Sequence, residues 1–174
     1  MKITKVRLYL VVVFCLPLAP RVHAQSKTDS PAPTPSLDFF AGRWHCDGKF
    51  TSSGKSISAR LVFEPILGGK FLLFRHDDEP PFGYHAWSEW RWDASAGQFV
   101  STVQDSGGGI RLFRSPGWIG QTFVWSGGDL QNSSDQRFVF ERLDNRNFRV
   151  SYSHKKNDSW LAVDSSACRR VETK

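Results

Sequence analysis

Histidine and aspartate gather in one stretch, His76-Asp77-Asp78, with His85 a little further on. Imidazole and carboxylate are ligands that zinc and similar ions take. The spacing matches no established metal motif, so solvated loop polars are the plainer reading and no metal site is assigned. His154 falls in phase with Phe148, Val150 and Tyr152 and is expected to face inward, as a satisfied interior histidine or a ligand contact. Serine, histidine and aspartate are all present, but no Gly-x-Ser-x-Gly elbow marks a nucleophile. Ser106-Gly107-Gly108-Gly109 lacks the Lys-Ser/Thr continuation and the following helix of a phosphate loop, and reads as a hairpin. No cofactor is implied by any of these groups.

The aromatic load is the most unusual feature, with seven tryptophans and fourteen phenylalanines in 174 residues. Core filling accounts for most of them. The remainder can line an apolar cavity able to hold one small ligand. Three functions stay open: a binding protein for a small apolar molecule, an enzyme using histidines and carboxylates at a barrel mouth, and a structural or interaction module with a filled interior.

The elements that must position these residues are strands. After Ser36 short alternating runs separated by turn chemistry dominate, and no long apolar period of 3.6 appears. In the first run Trp44, Cys46, Gly48 and Phe50 alternate with Arg43, His45, Asp47 and Lys49, giving one mostly apolar and one charged face. Ten strands are expected, at 42–50, 57–64, 70–77, 84–93, 98–105, 110–114, 122–126, 136–143, 148–154 and 159–171. A short helical lead-in is expected just before the first. One continuous meander hides its edges by closing into an antiparallel up-and-down barrel. An even strand number lets the first and last strands pair antiparallel.

The ends and charges bound the setting. Lys2, Lys5 and Arg7, an apolar run, and Val22-His23-Ala24 predict a secretory signal peptide over residues 1–24. The apolar run is far shorter than the ~20 residues of a membrane span. Residues 25–36 are polar with Pro31, Pro33 and Pro35, and read as a disordered linker before the domain at 37–174. The chain carries 23 Lys plus Arg and 17 Asp plus Glu. Four of the bases lie in the signal, so the mature chain is nearly neutral and nucleic-acid binding is not expected. Oligomeric state is left open. Cys46 and Cys168 remain after the signal. In an exported chain they favour a disulfide, with two buried thiols as the alternative. Antiparallel closure places the two cysteines side by side.

Gly42-x-Trp44, with Arg169 or Arg170 ending the last strand, resembles the calycin superfamily of lipocalins and fatty-acid-binding proteins. That resemblance implies a structural role for Trp44, Arg169 and Arg170, with an arginine packed over the tryptophan. Leu67-Gly-Gly-Lys-Phe-Leu72, Trp92-Asp93 before Gly97-x-Phe99-Val100, Ser115-Pro-Gly-Trp118 and Cys168-Arg169 resemble more closely an uncharacterised bacterial lipocalin-like family of exported proteins. A haem-binding calycin branch carries Gly-x-Trp-x-Gly-x-Gly, from which Cys46-Asp47-Gly48 departs.

Hairpin loops alternate between the ends of such a barrel. The closed end is expected at the helical lead-in and the turns near Gly68, Ala94, Pro116 and Asn145. The open mouth is expected at loops 51–56, 78–83, 106–109, 127–134 and 155–158. Phe50, His76, Tyr84, Asp105, Tyr152, His154 and Trp160 are then candidate ligand contacts, with Trp90 deeper and His85 an alternate to Tyr84 should a bulge shift the register. A small apolar ligand with a few polar anchors, fatty-acid-like or aromatic, is the expected partner.

Overall fold

The computed structural model describes residues 36–130 and 135–172. The expected signal peptide, and all of the expected linker except Ser36, lie outside the described residues.

Alternation dictates a sheet, and the sheet rolls up. The strands are β1 (Gly42–Phe50), β2 (Ser56–Ile66), β3 (Phe71–Asp78), β4 (His85–Asp93), β5 (Gln98–Asp105), β6 (Ile110–Ser115), β7 (Trp118–Ile119), β8 (Thr122–Asp129), β9 (Gln136–Arg142), β10 (Asn147–Lys156) and β11 (Ser159–Val171). Every pairing is antiparallel, in the order β6-β5-β4-β3-β2-β1-β11-β10-β9-β8, and β6 pairs with β8 to close the ring. Ten strands therefore form the barrel. The added β7 arises inside the expected turn at 115–120. Trp118 and Ile119 pair back on Phe123 and Thr122 and form a short ribbon beside the wall.

Two glycines are needed where backbones meet. A Cβ on Gly127 would lie 2.0 Å from the Leu112 carbonyl oxygen at the β6–β8 seam, and one on Gly48 would lie 2.3 Å from the Ser165 carbonyl oxygen across β1–β11. Any side chain there must push a ladder apart. Cys46 stands directly opposite Cys168, and the two form a disulfide with Cα atoms 4.0 Å apart across 122 residues of sequence.

The lead-in is a turn rather than a helix. Phe40 N–H donates to the Leu37 carbonyl (2.9 Å) and Ala41 N–H to that of Asp38 (3.2 Å), and the chain then enters β1 through Gly42 at φ 122°. Only three residues separate Leu37 from Ala41, too few for a nucleated α-helix. The turn plugs one end of the barrel. Phe40 is fully buried, with rings from β2, β4, β7, β8, β9 and β10 around it. Trp44 Nε1–H donates to the Phe40 carbonyl (2.7 Å), and the Arg170 guanidinium lies 4.2 Å over the Trp44 ring. Arg170 also donates to the Phe39 carbonyl (2.6 Å) and to that of Ala41. Arg169 instead faces out and pairs with Asp47 at 3.2 Å.

Candidate functional site

Above the plug the barrel encloses a cavity of about 360 Å³. Its inner end is aromatic: Trp90, Phe113, Trp125 and Phe140 are all nearly fully buried and line it. These residues come from β4, β6, β8 and β9, each at an inward position of its strand's alternation. Ser88, Ser101 and Ser166 add buried hydroxyls to the wall, and Trp90 Nε1–H donates to Ser88 Oγ at 2.8 Å.

The outer end is polar. Phe50, His76, Asp78, Tyr84, Arg111, Tyr152 and Asp164 line it. All sit where β1, β3, β6, β10 and β11 approach one set of loops, or just before β4. Arg111 is largely buried. It donates to the Tyr84 hydroxyl (2.6 Å), forms an ion pair with Asp105 (2.7 Å) and reaches Gln136 Oε1 at 3.4 Å, while its Nε–H is buried without a partner. Burial works against the guanidinium charge, but Tyr84 and Asp105 outweigh it and raise the Arg111 pKa. Burial raises the Tyr84 and Tyr152 phenols, which stay protonated. His76 Nε2 lies 2.7 Å from Asp78. Asp164 is pushed up to about 6, by burial first, with Asp78 adding to the rise and His76 opposing it.

The structure thus gathers Phe50, His76, Tyr84, Trp90 and Tyr152 at the cavity. Asp105 stands one step behind it, gripping Arg111 with one carboxylate oxygen and accepting the Gly107 and Gly109 N–H groups with the other. His85, His154 and Trp160 are not in the wall. His85 is exposed and pairs with Asp77 at 2.8 Å, because Ala86 takes the inward position. Opposite Tyr152 and Ser153 the ladder skips Val163 of β11, so Val163 and Asp164 both line the cavity and Trp160 falls out of step with the wall, while His154, near the end of β10, is exposed. Trp160 lies under the Arg137 guanidinium at 4.4 Å. The alternation also splits the His76-Asp77-Asp78 stretch, leaving His76 and Asp78 in the cavity wall while Asp77 pairs with exposed His85. Among the described residues no group of three or more His, Cys, Asp or Glu is placed to hold a metal ion.

Sequence reading missed Arg111 and Asp164. Both had a signal. Arg111 is two residues from buried Phe113, and Asp164 is in step with Ser166 and Cys168.

A serine–histidine–acid cluster does exist, on the outer face of β1 and β2. Ser58 Oγ lies 3.4 Å from His45 Nε2, whose Nδ1 is 3.9 Å from Glu79. The Ser58 hydroxyl donates instead to Asp47 at 2.9 Å, and that bond is the first cause of the lowered Asp47 pKa. A hydroxyl donating to a carboxylate is not the base-activated nucleophile that acyl transfer needs.

Comparison with known proteins bears on the fold alone. No family model matches the sequence, and no curated protein matches it. Among solved structures the chain is similar to "Crystal Structure of Rv2717c from M. tuberculosis", with a TM-score of 0.59 at 12% identity, covering 78% of this chain and 95% of that one. It is also similar to a designed protein described as "De novo design of a fluorescence-activating beta barrel", with a TM-score of 0.42 at 12% identity, covering 77% and 95%. The first likeness places the chain among closed antiparallel β-barrels. The second is too distant to carry an argument.

Proposed function

We propose that this chain is an exported, lipocalin-like binding protein that holds one small, largely apolar molecule inside its barrel. The cavity carries the reading: an aromatic inner end with a ring of polar anchors at the outer end is how ligand sites orient an apolar body. The Trp44–Arg170 stack and the calycin-like Gly42-x-Trp44 opening support the lipocalin-like type. Export rests on the signal-peptide pattern at 1–24, and the Cys46–Cys168 disulfide accords with an oxidising compartment. Protein recovered from its natural compartment should have an intact mass beginning at Gln25.

Binding is tested with N-phenyl-1-naphthylamine, a neutral apolar dye that brightens on leaving water. Saturable brightening is expected, with energy transfer from Trp90 and Trp125. Ala86→Phe puts a ring into the cavity wall and should weaken dye binding by at least about tenfold while circular dichroism stays that of the native barrel. A dye that fails to bind, or that binds Ala86→Phe equally well, defeats the proposal.

A further inference from the structure

We infer that the ligand's polar group is a protonated amine and that Asp164 is its counter-ion. This rests on the binding function proposed above and names the class of molecule bound. The outer end sets the Arg111 guanidinium and the His76 imidazole among the carboxylates of Asp105, Asp78 and Asp164. Arg111 is balanced by Asp105 at 2.7 Å, and it also donates to the Tyr84 hydroxyl. Asp78 is held by His76 at 2.7 Å. Asp164 lines the same cavity, and among the described residues it forms no ion pair. Its neighbours are Phe50 across β1 and Tyr152 across β10, with His76 and Asp78 facing it from β3. Tyr84 and Arg111 stand further round the wall.

A partly buried carboxylate without a cation is unfavourable, and either a proton or a cationic guest relieves it. The raised Asp164 pKa is the first of these responses. An ammonium group on an apolar chain supplies the second. Tyr152, with one ring face stacked on Phe138 at 4.7 Å, and Tyr84 also line the cavity, and aromatic rings there favour a cation. A ligand carboxylate would meet the opposite field, with Asp164 and Asp78 beside it and the Arg111 guanidinium already neutralised.

The test is competition against the bound dye by octylamine, octanol and octanoate, which share a chain and differ in head group. At pH 7.5 octylamine should displace the dye at about tenfold lower concentration than octanol, and octanoate should be weakest. The amine's advantage should shrink as pH falls through about 6, where Asp164 takes up its proton. In Asp164→Asn the ratio between octylamine and octanol should collapse toward unity. An amine advantage that survives Asp164→Asn, one that is unchanged at pH 5, or a native protein that prefers octanoate or octanol overturns the inference. If dye and octanol bind without an amine advantage, this inference alone fails. If neither the dye nor any octyl compound binds, the proposed function fails with it.

Discussion

Replacing Phe40 with alanine is expected to destabilise the barrel by about 3–5 kcal/mol, the range for removing a fully buried phenylalanine. Phe40 does not belong to any strand, yet its ring stacks on Phe63 (5.4 Å) and Trp118 (5.2 Å) and meets Trp90, Phe123, Phe140 and Phe148 edge-on. Truncation leaves a hole bounded by six strands that are held in the hydrogen-bonded sheet and cannot collapse inward. The loss should therefore sit at the high end of that range. Urea unfolding of the native and variant proteins measures it directly. A change below about 1 kcal/mol would mean the plug is not a structural part of the barrel.

Replacing Cys46 and Cys168 together by serine is expected to cost nearly as much by another route. The disulfide spans 122 residues, so it removes a large share of the unfolded chain's freedom, about 5 kcal/mol in the chain-entropy account. Both residues are buried and face the interior, so two serines also place hydroxyls in an apolar wall. The thermal midpoint should drop by roughly 10–20 °C while the ladders of β1 with β2 and β11 keep the fold. Native protein that reacts with two equivalents of a thiol reagent, or a midpoint that moves by less than a few degrees, would refute this account.

The outline of the barrel was legible because β-alternation is a local signal. Trp44, Cys46 and Leu61, Phe63 show their faces within their own strands, and glycine and proline mark the turns. Three kinds of feature were not legible. The helical lead-in failed because Leu37-Asp-Phe-Phe-Ala41 is too short for propensity to decide, and burial of Phe40 fixed a turn instead. The strand at Trp118–Ile119 failed because two residues carry no periodicity. Trp160 was misplaced because the ladder opposite Tyr152 and Ser153 skips Val163 and shifts the phase of β11, a slip that depends on the partner strand, whereas His154 keeps its register with β9 but stands exposed near the end of β10. Arg111 and Asp164 were missed for another reason. Their spacing was correct for the interior, but charged side chains are discounted as inward residues unless their partners are visible. The Tyr84 hydroxyl that Arg111 meets is 27 residues away in sequence, and Asp164 has no ion-pair partner among the described residues.

The seam between β6 and β8 has a consequence for how the barrel breathes. β1 is held to β11 over Arg43 to Phe50, and β10 to β11 over Asn147 to Lys156, whereas the closing ladder runs only from Arg111 to Arg114. Parting a ladder costs more the longer it is, so the wall yields first along this short line. The cylinder is in this respect a rolled sheet fastened by a short zip. Arg111, the first residue of that zip, also grips Asp105 and Tyr84 at the cavity's rim. Parting the fastener leaves those two contacts intact on the β6 side and breaks the reach of Arg111 to Gln136 at 3.4 Å, and the gap opens directly into the cavity that Arg111 and Phe113 line.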